Sequence, residues 1–270
     1  MIPRVIHYCW FGGNPLPELA VKCIASWRKF CPDYKIVEWN ERNFDVACCD
    51  YVREAAEAKK WAFVSDYARL WAVYQEGGVY LDTDVELKKN LDRFLSDRFF
   101  FAIQKNETFS GKVSVHVATG LGFGAEAANP VVKSMMDEYD GAHFRNPDGT
   151  LDMTPCPARN SHALYAFGYK DENRMQSFEG GVIYPADYFC PEEFSGLASN
   201  YSGNTVSVHH YSATWKSPME RDIEPLKRMV KKGFVNMYKI ASKIVQIAHG
   251  GGYEVTLLKL RGGLQAEVAA

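Results

Sequence analysis

Two aspartates, Asp82 and Asp84, stand one residue apart directly after the apolar run that opens with Gly77 and Gly78 in GGVYLDTD. Along a strand both would point to one side, and at a strand end both carboxylates can converge on one point. Two anions that close repel each other, so the pair makes sense around a divalent cation. Hard oxygen ligands suit Mn²⁺ or Mg²⁺, which keep several waters and take up substrate phosphates as well. A DxD triplet in isolation is usually a solvated turn or cap, so its context has to carry the argument. Immediately upstream, WAFVSDYARLWAVYQEGG places Asp66 and Arg69 three apart, on one helix face. A surface ion pair there would be worth little. The helix is otherwise apolar, however, with Trp61, Phe63, Val64, Tyr67, Leu70, Trp71, Val73 and Tyr74 nearby. A charged pair on a buried helix serves chemistry or must be compensated. Carboxylate and guanidinium groups grip hydroxyl-rich ligands because one accepts and the other donates in fixed directions.

The elements that must position these groups alternate. Val5 to Trp10 reads as a buried strand ended by Gly12, Gly13, Asn14 and Pro15; Leu19 to Phe30 is helical by spacing; Lys35 to Trp39 is strand-like. Ala62 to Glu76 is helical and closes at Gly77, the residue type a helix C-terminus favours. Val79 to Leu81 is a short strand leading into the aspartates, where an open α/β sheet places its ligands. Arg98 to Ile103 and Thr205 to Tyr211 are further strands, and Val131 to Tyr139 is a helix entered through Asn129 and Pro130. Gly141 to Pro157 reads as a long surface connection or lid. Strand and helix in turn predict an α/β fold. Leu226 to Ala248 carries six Lys or Arg and no acid, with apolar residues at helical spacing. That predicts a basic amphipathic helix which either docks on an anionic membrane surface or a partner, or packs its stripe on the domain and solvates its lysines.

Composition narrows the function classes. With 270 residues, 47% apolar, the chain can bury one large domain and an appendage, and a charge of −2 (31 basic against 33 acidic residues) gives no global attraction for nucleic acid. The seven cysteines include no CxxC pair, which argues against a zinc knuckle or a thioredoxin motif and for reduced thiols in a cytosolic setting. The opening MIPRVIHYCWFGG has no signal-peptide pattern, and no run approaches the roughly 18 apolar residues of a membrane span. The expected location is cytoplasmic, with the inner face of the cytoplasmic membrane as a peripheral one.

The order SDYARLWAVYQEGGVYLDTD, with IHYCWFGG near the start and HHYSATWK at 209–216, resembles the DxD sugar transferases of glycosyltransferase family 32. These include yeast-type initiating mannosyltransferases and capsular polysaccharide enzymes. It also looks like the catalytic domain of the large clostridial glucosylating toxins. The resemblance covers residues 2 to about 95 and 209–216. It implies a GT-A fold, Rossmann-like with a central mixed sheet, over 1–220, with 221–270 a C-terminal helical appendage. It matches Trp10 to the aromatic that stacks on the donor base, Asp66 and Arg69 to groups that hold the donor sugar, and Asp82 and Asp84 to the DxD carboxylates, Asp84 being the more direct metal ligand. His210 and Lys216 stand at the interval of a metal-binding His and a phosphate-binding Lys in related retaining enzymes. Trp215 resembles the toxin tryptophan that steadies the leaving phosphate. Imidazole suits Mn²⁺-like metals, and a lysine neutralises a diphosphate. His209 is the rival ligand, because strand alternation puts the two histidines on opposite faces; His210 is the favoured one. The segments ATGLGFGAEAANP and MTPCPARNSHAL match only loosely, so they name no acceptor site.

The implied function is a metal-dependent retaining glycosyltransferase that moves a hexose from a UDP-linked donor to a glycan or lipid-linked oligosaccharide in surface polysaccharide synthesis. The alternatives are a toxin-like protein glycosyltransferase and a non-catalytic peripheral-membrane scaffold.

Overall fold

The computed structural model describes residues 1–107, 113–192, 200–212, 254–260 and 263–269. The elements run β1 (Val5–Cys9), α1 (Glu18–Phe30), β2 (Lys35–Trp39), α2 (Asp50–Glu57), α3 (Trp61–Glu76), β3 (Gly78–Tyr80), β4 (Val85–Leu87), β5 (Phe99–Glu107), β6 (Val113–Val117), β7 (Phe123–Ala125), α4 (Pro130–Asp137), α5 (Cys156–Tyr165), β8 (Gln176–Phe178), β9 (Gly181–Tyr184), α6 (Ala186–Phe189), β10 (Ser207–His209), β11 (Glu254–Leu260) and β12 (Gly263–Ala269). Single 3-10 turns occupy Asp92–Phe94 and Thr119–Leu121.

An eight-stranded mixed sheet in the order β2-β1-β3-β7-β5-β9-β8, with β6 paired to β5, forms the centre. β1 is parallel to both β2 and β3, β7 is antiparallel to β3 and β5, and β9 runs parallel to β5. This is an α/β, Rossmann-like architecture consistent with GT-A. β1 lies between two neighbours, so all of Ile6 to Cys9 is buried, including His7. His7 is tolerated there because both ring nitrogens are used: Nδ1 accepts from the Trp39 indole at 3.1 Å, and Nε2 reaches the Gly77 carbonyl at 2.8 Å. Burial lowers its pKa and keeps it neutral.

The glycine pair before the aspartates has a steric cause. Gly77 (φ +65°) ends α3, its N–H bonding Val73 O at 2.8 Å, and Gly78 (φ +112°) starts β3. A Cβ on Gly78 would lie 2.9 Å from both Val5 O and His7 Nε2. The chain therefore turns from helix into the sheet where only glycine fits. Helix α1 buries Ala20, Cys23, Ile24 and Trp27, one face at helical spacing. From that face the Trp27 indole donates to Val85 O at 2.7 Å, and Ser26 Oγ accepts from Leu87 N at 2.9 Å. Both bonds brace β4, which pairs antiparallel with β10 as a separate two-stranded sheet.

α2 and α5 are helices that the sequence reading left unassigned. The connection after Gly141 is a loop as expected up to α5. It is tied to α2 by Glu54, which bonds the His143 ring and Arg145 N at 2.8 and 2.9 Å. The basic helix expected at 226–248 lies outside the described residues. Within the appendage expected to be helical, β11 and β12 pair as an antiparallel hairpin. No helix among the described residues is long and apolar enough to cross a membrane.

Candidate active site

Parallel pairing sets the geometry. His7 is opposite Tyr80 in the β1–β3 register, so Trp10 after β1 and Asp82 after β3 emerge at the same edge of the sheet. The aspartates converge just beyond the end of a strand, where the sequence reading put them, through a turn. β3 ends at Tyr80, Val85 N bonds Asp82 O at 3.0 Å, and β4 begins at Val85. Asp82 is fixed by the Tyr80 hydroxyl, which donates to its Oδ1 at 2.9 Å, and by its amide on Gly120 O at 3.2 Å. Asp84 is buried; its Oδ2 accepts from both the backbone N–H and the hydroxyl of Ser212, each at 2.8 Å.

The imidazole beside Asp84 belongs to His209, not His210. His209 Nε2 lies 3.0 Å from Asp84 Oδ1, whereas His210 Nε2 lies 2.9 Å from Glu86 Oε2, turned away from the aspartates. The reason is register: His209 is the last residue of β10, opposite Val85, and alternation sends the next side chain to the other face. The geometry thus places His209, the rival named from the sequence, beside the aspartates in place of the favoured His210. Asp82, Asp84 and His209 offer ligand atoms that all lie within 4.8 Å of one another. The fit to a divalent cation is chemical as well as spatial, with two hard carboxylates and one borderline imidazole. Among the described residues His209 Nδ1 is buried and has no hydrogen-bond partner, so there the ring's one short polar contact is the one made toward Asp84. Burial works against the charge on Asp84, but His209 and the two Ser212 bonds outweigh it and hold the carboxyl well below the usual range. Burial likewise works against a charged His209, yet Asp84 holds its pKa above the ordinary value.

Asp66 and Arg69 face the same place from α3. Arg69 Nη2 lies 2.8 Å from Asp66 Oδ1 and 3.4 Å from Asp82 Oδ1, so one guanidinium links the helix pair to the DxD turn. Its carbon sits 5.1 Å from the Tyr80 ring centroid. Burial pushes the Asp66 carboxyl up. Burial also opposes the Arg69 charge, but the Asp82 and Asp66 carboxylates hold it firmly protonated.

Trp10 is half-buried and its indole donates to Asn14 O at 2.6 Å. Trp215 and Lys216 lie outside the described residues. The structure adds residues that the sequence reading passed over: Tyr80, Thr119, Gly120, Cys156, Asn160 and Ser212. Ser212 was within reach of sequence reasoning, three residues after His209 in the HHYSATWK block. Nothing in MTPCPARN marks Cys156, whose thiol comes to 3.7 Å from Arg69 Nη1.

A family model described as the glycosyltransferase sugar-binding region containing the DXD motif matches residues 17–101. The match spans α1, α3 and the Asp82–Asp84 turn. Residues 17–101 thus carry a DxD-type glycosyltransferase region. The chain is 32% identical over 164 residues to an uncharacterised glycosyltransferase of Acanthamoeba polyphaga mimivirus, covering 56% of this chain and 62% of that protein. It is 31% identical over 98 residues to inositol phosphoceramide mannosyltransferase 3 of Schizosaccharomyces pombe, covering 35% of this chain and 27% of that one. The chain thus spans less than two thirds of the length of either relative. Among solved structures, PaToxG glycosyltransferase superposes with a TM-score of 0.44 at 18% identity, covering 61% of this chain and 69% of that one. A likeness that loose carries no argument.

Proposed function

We propose that this chain is a metal-dependent, retaining hexosyltransferase of the family 32 type, which takes a UDP-linked sugar and extends a glycan or lipid-linked oligosaccharide in surface polysaccharide synthesis. The observation that carries the reading is the meeting of Asp82, Asp84 and His209 beside the Asp66–Arg69 pair at one edge of the sheet. Asp84 and His209 would hold Mn²⁺ or Mg²⁺ directly, with Asp82 beside them. When bound, such an ion neutralises charge that builds on the departing diphosphate.

The chain's own residues do the rest. Asp66 accepts from the hydroxyls of the donor sugar and Arg69 donates to them, holding the ring where the acceptor can reach it. Both groups are buried, so their hydrogen bonds act in a water-poor site where they are strong. Tyr80 and Ser212 keep the two DxD carboxylates aimed at one point. Trp10, at the same sheet edge, offers a ring for the donor base, and the family resemblance assigns Trp215 and Lys216 to the diphosphate. The relative named for mannosyl transfer to inositol phosphoceramide supplies a second arm for assay, a GDP-linked mannose with a phosphoinositol lipid acceptor.

The test is hydrolysis and transfer from a panel of UDP- and GDP-sugars with Mn²⁺ or with chelator. The expected outcome is turnover of one UDP-hexose that stops with chelator and in Asp84→Ala, the variant still unfolding cooperatively but at a lower melting temperature, since His209 and Ser212 lose their buried partner. Equal turnover in that variant would reject the assignment.

A further inference from the structure

The Arg69 guanidinium is saturated before any ligand arrives. Nε donates to Ser65 O at 3.1 Å, one turn back on its own helix. Nη2 is held by Asp66 at 2.8 Å and Asp82 at 3.4 Å, both charge-assisted. Nη1 is different. Its partners are neutral and distant, Thr119 Oγ1 at 3.5 Å and Cys156 Sγ at 3.7 Å. The Nη1 edge is thus the one that can be handed to a substrate oxygen at little cost, while Nη2 stays locked between carboxylates.

What aims that edge comes from the far side of the site. Thr119 is fully buried, and its hydroxyl also accepts from Asn160 Nδ2 at 3.1 Å. Asn160 is itself 1% exposed and stands on α5 four residues after Cys156, on the same helix face. The next residue, Ser161, fixes the approach to the turn by accepting from Val117 N at 3.0 Å. Gly120, beside Thr119, lets the turn close on the aspartate side: a Cβ there would overlap Asp82 Oδ2 and stand 3.2 Å from Arg69 Nη1. A buried polar chain from Asn160 through Thr119 to Arg69 is an expensive way to fill a core that valine and leucine would fill better.

We propose that Thr119, held by Asn160, is a positioning residue that aims the Nη1 edge of Arg69 at the donor sugar, so that α5 sets how the sugar is gripped. The inference rests on the donor-sugar reading above. It concerns the sugar rather than the nucleotide, which gives it a separate readout.

The experiment compares wild type, Thr119→Val, Thr119→Ser and the double variant Thr119→Val with Asn160→Leu. Each is measured for UDP affinity with Mn²⁺, for KM and kcat on UDP-glucose and GDP-mannose hydrolysis, and for melting temperature. The expected result for Thr119→Val is a loss of roughly tenfold in kcat/KM on the hydrolysed donor, with UDP affinity unchanged, and recovery in Thr119→Ser. In the double variant both partners of the buried bond are replaced by apolar isosteres, so melting temperature recovers while kcat/KM stays low. Recovery of activity together with stability would make the pair purely structural and overturn the proposal, as would a Thr119→Val enzyme with wild-type kcat/KM. A wild type that hydrolyses no member of the UDP- and GDP-sugar panel overturns the donor-sugar reading and this inference with it.

Discussion

Asp84 and His209 restrain each other, and the sign of each shift sets a pH window. Asp84 sits below its ordinary pKa, so its contribution to stability is present above the unfolded carboxylate value of about 3.9 and is lost as pH falls through the folded one. His209 sits above its ordinary pKa, so its contribution is present below about 6.5 and is lost as pH rises through the folded value. In chelator the pair therefore contributes most between about pH 4 and 6.5. A divalent cation needs the imidazole neutral, so Mn²⁺ affinity should climb as pH rises through the His209 pKa. Calorimetric titration of Mn²⁺ across pH checks this. His209→Ala is expected to lose at least roughly tenfold in affinity, about 1.4 kcal/mol, and to flatten the pH dependence. His210→Ala should leave both near wild type, because its ring is engaged with Glu86; the reverse pattern would restore His210 as the ligand. The residue identities of the site were legible because Asp66, Arg69, Asp82 and Asp84 are written in one contiguous stretch. The choice between adjacent histidines was not, because it depends on the β4–β10 register, a contact between positions more than a hundred residues apart.

Helix ends and turns deliver these residues to one place, and each can be perturbed by a substitution at a residue that is not itself in the catalytic machinery. Gly120→Ala puts a methyl group against the Asp82 carboxylate, the far end of a short side chain that can swing away. The variant should fold with a near wild-type melting temperature yet bind Mn²⁺ and donor more weakly. Asn129 caps α4, its side chain accepting from Val131 N at 3.0 Å and Val132 N at 3.4 Å and donating to Arg98 O at 3.2 Å. Asn129→Ala should cost about 1–2 kcal/mol in denaturant unfolding, with donor kinetics unchanged. Loss of activity at full stability would mean that α4 is coupled to the site. The cap and proline of α4 and the apolar faces of α1 and α3 announced themselves in the sequence through local chemistry. α5 did not, since CPARNSHALY shows a proline and no clean apolar stripe. Its boundaries follow from packing, with Asn160, Ser161, Ala163 and Leu164 buried.

Across the whole molecule, one sheet edge gathers groups from four separated segments: the loop after β1, the face of α3, the turn between β3 and β4, and the end of β10. The mixed order of the sheet was implied by the family resemblance rather than by periodicity. β10 was legible as the alternating run Thr205 to Tyr211, but its pairing with β4 was visible in neither, because β4 has three residues and its partner lies more than a hundred positions away. That pair matters most to the chemistry, since it brings an imidazole and a serine to the aspartates. The anomalous difference map of crystals soaked with Mn²⁺ and UDP addresses the point directly. The account predicts one manganese peak within coordination distance of Asp84 and His209, with the diphosphate on its open side and Asp82 adjacent. A peak at His210 and Glu86, or an ordered UDP diphosphate with no manganese beside Asp84, would contradict it.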